Sequence, residues 1–527
     1  MLDLSRLSAE QRRAVTAGDG PLLVVAGPGS GKTTVLAARI AYLVALRGVS
    51  PTTVLALTFA TKAARELRER LGGVLGAEGR RVDVATFHAF GLRIVHQWAE
   101  ALGYHRGRLT VLSAGEAAAL LREAAVVAGW DLDHAPLADL ARDCHRYRLG
   151  HVLPEPGERT DGLERVLKAY EALMGQRGVV DYAAMLSLPL ALFARRPEAL
   201  HLYQNSYRYV LADEFHDTCA AQYALLYRLA QGHRNLAVVA DPCQAIYGWR
   251  GADVGLLARL RDDFPEVRAV GLSQNFRSTG RIVALANAMG APLPYHRPLW
   301  TDNPPGGPAL LHVAVDGEAE ARFVAGQVVR LLEGGGISHP GEVAVLYRAN
   351  WQAEALVAAL TEHHLPYRLH DARRNNDSQP PDALEQAVEG LQTGQVAEEG
   401  DSRAVCRSAS GDEHAVTLAT IHAAKGGEWR VVFLVGAEEG LMPHARAVAD
   451  PPAADGGLEE ERRVAYVGVT RPRERLFLSC CRGRRRGGRV VPSSPSRFLR
   501  GLPVQPWRPV SGAPAGAVPG ETGQRAA

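Results

Sequence analysis

At 527 residues the chain has room for three or four domain-sized units, and its 46% apolar content is enough to bury more than one core. A net charge of only +3 gives no average signal for a polyanion partner, and no run of about eighteen apolar residues offers a spanning helix. The start, Met1 to Arg6, lacks the basic-then-apolar plan of a secretory signal, and the six cysteines (144, 219, 243, 406, 480, 481) form no CxxC pair. These features speak against a zinc ribbon, an iron–sulfur cluster or a disulfide framework, and for a reducing, cytoplasmic setting without a membrane partner.

The first apolar run, Leu22-Leu23-Val24-Val25, is followed by a Gly-rich turn and a helix from about Lys32. A second run, Val54 to Leu57, leads into Thr61-Lys62-Ala63-Ala64. This strand–turn–helix alternation predicts a parallel sheet covered by helices. From about 90 to 200 the pattern becomes helical and rich in Ala, Leu and Arg, as expected of an insert. Strands return at Tyr209-Val210-Leu211 and Leu236 to Val239. A second α/β alternation starts near 281, with strands expected at Ala309–Val313, Val343–Leu346 and Val431–Val435. The polar stretch 371–412 reads as a linker or a remnant insert. The Pro/Gly/Ala-rich tail 505–527 reads as disordered. Cys480-Cys481 reads as the end of a buried strand. Arg482, Arg484, Arg485, Arg486 and Arg489 read as a solvated basic cluster.

Ala26-Gly27-Pro28-Gly29-Ser30-Gly31-Lys32-Thr33-Thr34 follows a strand and opens a helix, which is the context a phosphate-binding loop requires. The glycines let backbone N–H groups curl around phosphates, and the helix N-terminus favours negative charge. Lys32 would reach the β- and γ-phosphates of ATP, and the Thr33 hydroxyl would ligate Mg²⁺. The chain has only four lysines, at 32, 62, 168 and 425, so 56 of its 60 basic residues are arginine. Three of those four lysines lie in the motifs described here. A compact ammonium at a phosphate site is not interchangeable with a guanidinium. The run Tyr209-Val210-Leu211-Ala212-Asp213-Glu214 supplies a second carboxylate element. Asp213 would hold Mg²⁺ and Glu214 would polarise the attacking water.

Taken together and in order, these motifs resemble those of the UvrD/Rep/PcrA-like superfamily 1 DNA helicases, over roughly 1–350 and 414–500. Leu7-Ser8-Ala9-Glu10-Gln11 resembles the adenine-reading motif, with Gln11 facing the base. Leu57 to Ala64 and Thr86-Phe87-His88-Ala89-Phe90 resemble the first DNA-contact motifs. Asp213 to Thr218 resembles DEFQDT, with His216 where the family has Gln. Ala240 to Ala252 resembles GDxxQSIYGWRGA. It keeps Asp241, Gln244, Tyr247, Trp249 and Arg250 and departs at Ala240, Pro242, Cys243 and Ala245. Gln274 to Thr279 resembles QNYRST, and Thr417 to Trp429 resembles TxHxAKGLEF, with Gly427 where Leu is usual. Glu460 to Arg471 resembles EERRLxYVAxTR, and Pro472 replaces the usual Ala.

The resemblance implies an α/β fold of two RecA-like P-loop domains with a helical insert and a mostly missing second accessory domain. The expected boundaries are 1–90 with 201–280, 91–200 for the insert, and 281–370 with 413–504. It implies that Phe276 stacks on adenine, Glu428 binds the ribose, and Arg277 and Arg471 reach the γ-phosphate, with Gln244 among the catalytic residues. Grip on single-stranded DNA would come from Phe59, Lys62, His88, Tyr247, Trp249, Arg250, Thr420 and His422, with stacking that tolerates any sequence. The implied activity is an ATP-dependent 3′-to-5′ DNA helicase or translocase serving repair or replication. The competing expectation is a degenerate relative that grips nucleic acid with little ATP turnover. His88 and His422 lack partners at ligand spacing, so metal binding is not expected of them.

Overall fold

Two β-sheets, each with every neighbouring pair of strands parallel, organise the chain. The computed structural model describes residues 3–105, 109–132, 136–150, 158–370, 414–449, 457–486 and 489–507. The expected linker at 371–412 therefore lies outside the described residues, as does the tail beyond 507. No helix among the described residues is long and apolar enough to cross a membrane.

In chain order the strands are β1 (Leu22–Ala26), β2 (Val54–Thr58), β3 (Asp83–Thr86), β4 (Thr110–Val111), β5 (Val179–Val180), β6 (Tyr209–Ala212), β7 (Leu236–Ala240) and β8 (Arg268–Leu272). They continue with β9 (Ala309–Ala314), β10 (Val343–Tyr347), β11 (Tyr367–His370), β12 (Val416–Thr420), β13 (Trp429–Leu434) and β14 (Pro472–Cys481). The last are β15 (Gly483–Arg486), β16 (Arg489–Pro492) and β17 (Val504–Pro506).

The first sheet has the order β3-β2-β6-β7-β1-β8, and the second β11-β12-β10-β13-β14-β9-β17. Both are buried on two faces, which is why their central strands are continuous apolar runs and not alternating ones. Along β2, Val54 and Ala56 pack on one face with Leu22, Val24, Leu36 and Ile40. Leu55 and Leu57 pack on the other with Phe87, Phe90 and Leu226. Along β10, Ala344 and Leu346 face one core, Val343 and Val345 the other. Each fully buried aliphatic side chain contributes about 1.5–3 kcal/mol. The helical region between β3 and β6 forms a separate core around Leu120, Leu121, Leu140, Val166, Tyr170 and Met174. The short parallel pair β4–β5 closes it.

Two expectations differ in the structure. The chain stays ordered past 505: β17 pairs with β9, and Trp507 packs on His312 and Phe323. The basic cluster is only in part the solvated run expected: Arg482, Arg485 and Arg489 are exposed. Residues 483–486 pair antiparallel with 489–492, and Arg484 is buried. Its Nη2 lies 2.5 Å from Glu320 and its Nε 2.6 Å from Glu438, both of them buried. Glu320 also accepts from Gly436 N and the Ser479 hydroxyl, and Glu438 from Cys481 N. One guanidinium thus ties the loop after β13, the end of β14 and the helix Gly317–Glu333 together. Pro472, which stands where the family has Ala, lies just beyond a helix. The helix Gly457–Val469 has already ended, and Pro472 opens β14. Cys480 and Cys481 end that strand and are buried.

Removing one member of a buried ion cluster leaves the others charged in low dielectric. Arg484→Ala is expected to lower stability by about 3–5 kcal/mol, read as a shifted urea-unfolding midpoint. An unchanged midpoint would show that the cluster is not structurally coupled.

Candidate active site and aromatic cavity

β1 ends where the Gly-rich loop begins, so Gly27 to Gly31 sit at the carboxyl edge of the sheet and the helix Lys32–Ala45 starts beneath them. Two glycines are obligatory. Gly29 has φ +69°, and a Cβ there would lie 2.6 Å from Asn275 Nδ2. Gly31 has φ +83°, and its Cβ would lie 2.8 Å from Gln11 Nε2. Both need left-handed backbone with no room for a side chain. Gln11 is buried. It accepts from Ser8 N and donates to Ser30 O at 2.9 Å, so the N-terminal helix is fastened to the loop through this amide. The Ser30 hydroxyl donates to Gly27 O, and Thr34 Oγ1 accepts from Arg70.

The segment after β8 closes over the same loop. Asn275 Nδ2 donates to Pro28 O at 2.8 Å, and Phe276 N donates to Gly29 O at 2.9 Å. Phe276 itself is half-exposed beside the loop. Asn275 was not singled out from the sequence, although it directly precedes Phe276, which was.

Lys32 Nζ lies 3.2 Å from Asp241 Oδ2. That carboxylate also accepts from Gln244 Nε2, and Gln244 Oε1 accepts from Arg471 Nη2 at 2.9 Å. Lys32, from the first sheet, and Arg471, from just before β14 of the second, are thus three contacts apart. Arg277 completes the group: its Nε bonds Glu428 Oε2 at 2.6 Å and its Nη1 bonds Thr470 O. Burial raises the Glu428 carboxyl, but Arg277, and after it Arg473 and Arg471, outweigh burial and hold it below its usual range.

Arg471 is electrostatically unusual. It is 1% exposed, and its hydrogen bonds go to Val467 O, Gly427 O, Gln244 Oε1 and Thr470 Oγ1, all neutral. Burial, followed by repulsion from Arg277, pushes its pKa down to about 9, so it remains a cation at neutral pH. Among the described residues no carboxylate bonds it directly, and Asp241, Glu214 and Glu428 act on it only at longer range; a buried guanidinium so placed is costly unless an anion arrives to match it.

Opposite it, β6 delivers Asp213 and Glu214. Glu214 takes φ +51°, a strained conformation for a residue with a side chain. Burial, and after it the neighbouring Glu214, raise the Asp213 carboxyl; the Thr33 hydroxyl lies within hydrogen-bond reach of it. Glu214, His216 and Asp217 also converge, with ligand atoms within 4.8 Å of one another. The cation among them is the Lys425 ammonium, 2.7 and 2.6 Å from the two Asp217 oxygens.

On the far side of Gln244 and Lys425 opens a cavity of about 500 Å³, lined among others by Phe59, His88, Tyr247, Arg250 and His422. Phe59 and Tyr247 stack with centroids 5.7 Å apart. Trp249, half-exposed, meets Tyr247 and His422 edge-on. The Arg250 guanidinium lies 4.6 Å over Trp249 and 4.9 Å over Tyr247. Burial holds His88 at about 4 and His422 at about 3, so both rings are neutral at pH 7 and offer hydrogen bonds, not charge. Lys62 stands apart at the start of the helix Thr61–Leu75, mostly exposed and loosely paired with Glu66. Thr420 does not face the cavity through its hydroxyl, which caps the following turn at Ala423 N. Gly427 leaves space that the Trp429 indole fills: a Cβ on it would lie 2.4 Å from Trp429 Cη2.

Comparison with known families agrees with this arrangement. The UvrD/REP helicase N-terminal domain model matches residues 7–265, and the UvrD-like helicase C-terminal domain model matches 270–374 and 402–483. The chain belongs to the UvrD-like helicase family. Its two parallel sheets are the RecA-like pair of that family. Similar proteins include the ATP-dependent DNA helicase PcrA of Staphylococcus epidermidis, 27% identical over 95% of this chain and 87% of the relative. The PcrA of Bacillus subtilis strain 168 is 28% identical over 95% of this chain and 86% of the relative.

The isolation of Arg471 generates a prediction. Arg471→Met removes a buried charge that has no direct carboxylate partner among the described residues, so the melting temperature of the nucleotide-free protein is expected to stay level or rise. The melting shift induced by Mg·ATPγS is expected to shrink at the same time. An unchanged nucleotide-induced shift would show that Arg471 does not meet the phosphates.

Proposed function

We propose that this chain is an ATP-dependent DNA helicase or translocase that moves 3′-to-5′ along single-stranded DNA, in repair or replication. The observation that carries the reading is the Lys32–Asp241–Gln244–Arg471 chain, which brings cations from two separate sheets to one place.

In this reading Gly27, Pro28, Gly29, Ser30, Gly31, Lys32, Thr33 and Thr34 hold the phosphates of ATP. Gln11, Phe276 and Glu428 hold the nucleoside. Thr33 and Asp213 would hold Mg²⁺, and the raised carboxyl of Asp213 beside Glu214 fits a site that needs a cation. When bound, the ion would neutralise phosphate charge. Glu214 orients the attacking water and takes its proton. Arg277 and Arg471 stabilise the charge that develops on the transferred phosphoryl group. Both arginines are tied to neighbours here, Arg277 to Glu428 and Arg471 to Gln244, so the γ-phosphate competes for them as the sheets close. Hydrolysis removes that tie and lets the cleft reopen, one stroke per ATP. The cavity with Phe59, His88, Tyr247, Trp249, Arg250 and His422 grips the strand by stacking, at about 1–3 kcal/mol per base. Lys62 and Thr420 are not among the residues that line it.

We assign 1–90 with 201–280 to the first motor domain, 91–200 to the helical insert, and 281–370 with 413–504 to the second motor domain. Residues 371–412 take the place of the larger accessory domain that bigger members carry, and the C-terminal match is likewise split there. Translocation on single strands thus belongs to the motor core, and duplex unwinding is the more demanding activity.

Phosphate release with and without single-stranded DNA, and strand displacement on duplexes with a 3′ or a 5′ overhang, test the proposal. Expected are DNA-stimulated turnover, its loss in Lys32→Ala by about a hundredfold or more, and displacement from the 3′ overhang only. Tight DNA binding without turnover would replace the motor by a nucleic-acid-binding relative. Displacement from the 5′ overhang would reverse the polarity.

A further inference from the structure

His216 stands where the family motif has Gln, and its imidazole is completely buried. Its two nitrogens have different neighbours. Nδ1 accepts the Asp241 backbone N–H at 2.9 Å, so it carries no proton. A neutral ring must then be protonated at Nε2. Burial, and after it the Lys425 ammonium, disfavour the doubly protonated form.

Three groups approach Nε2: Lys425 Nζ and Glu214 Oε2, each at 3.1 Å, and Asp217 Oδ1 at 3.8 Å. Lys425 is a donor and cannot accept the ring proton. Its three N–H bonds already have three acceptors, Asp217 Oδ1, Asp217 Oδ2 and Gln244 O. Asp217 is committed to the lysine. Glu214 Oε2 is different: it is buried and takes no hydrogen bond of good geometry among the described residues. His216 Nε2, 3.1 Å away, is a nitrogen beside this orphaned oxygen whose proton it can accept once the two are aligned, and a buried acceptor left unpaired costs about 1–3 kcal/mol.

We propose that His216 is a positioning residue for Glu214: its Nε2–H fixes one carboxylate oxygen, leaving the other to face the water that attacks ATP. The inference rests on the reading of Glu214 as the hydrolytic carboxylate. It gives the departure from Gln a chemical content. The ring's tautomer is set by the backbone of Asp241, whose side chain meets Lys32. Its neutral state is favoured by burial first and then by Lys425, which arrives from the loop after β12 of the second sheet. The orientation of Glu214 is thus referred to both walls of the cleft through one ring.

Two substitutions separate the roles. The His216→Asn amide can still accept from Asp241 N but is too short to reach Glu214. His216→Gln places an N–H₂ near the Nε2 position. Steady-state ATPase with saturating single-stranded DNA should show kcat lowered about tenfold or more in His216→Asn, with KM for ATP within about threefold of wild type. His216→Gln should recover most of the loss. Melting temperature and binding of a fluorescent ATP analogue, measured on each variant, report folding. The inference is overturned if His216→Asn keeps kcat within twofold. It is also overturned if His216→Gln is as slow as His216→Asn, or if KM rises as far as kcat falls. Glu214→Gln serves as the reference. If that variant turns over normally, the hydrolytic role of Glu214 itself is wrong; if it is inactive while His216→Asn is not, only the role of His216 fails.

Discussion

Gln244 receives a contact from each of the three groups that matter most to this molecule. Its Nε2 bonds Asp241, the partner of Lys32; its Oε1 takes Arg471; and its backbone carbonyl takes Lys425. A side-chain amide is suited to this position because it is donor and acceptor at once and has no charge of its own. Arg471 and Lys425 come from the second sheet and Gln244 from the end of β7 in the first. Any shift of one sheet against the other must change these bonds. Because both arriving groups are buried cations, the change is costly.

The same residue separates two chambers. On one side lie the Gly-rich loop, Asp213 and Glu214. On the other, three residues along the chain, begins the aromatic group of Tyr247, Trp249 and Arg250. Lys425 spans the boundary, with its ammonium on Asp217 and 4.9 Å from the Tyr247 ring centre. A change in how the second sheet seats on the first is therefore felt by the carboxylates and by the aromatic slot together. Coupling of this kind needs no long pathway, only two chambers sharing one wall with two arrangements.

Much of this was legible in the sequence, for identifiable reasons. A phosphate loop is written in consecutive residues because its chemistry is backbone chemistry, so Gly27 to Lys32 could be read locally. The central strands β1, β2, β7, β10 and β13 are apolar runs because both faces are covered. Less legible were strands whose side chains do not signal burial: β3, which begins with Asp83, the edge strand β8, half of it exposed, and the three residues of β17. Arg484 was misread as solvated because its partners Glu320 and Glu438 are 164 and 46 positions away. Gly427 and Trp429 illustrate compensation: the missing side chain at one position is replaced by an indole two residues on, which no motif comparison position by position can show. Thr420 matched a motif, yet its hydroxyl serves the local turn.

The central claim is that Lys32 and the two arginines meet one triphosphate from opposite walls. An experimental structure of the protein with a non-hydrolysable Mg·ATP analogue tests it most directly. The account predicts the γ-phosphate within hydrogen-bond distance of Lys32 Nζ and of the guanidinium of Arg277 or Arg471, with Glu428 or Gln244 released. A nucleotide bound through the Gly-rich loop and Lys32 alone, with both arginines still on Glu428 and Gln244, would contradict it.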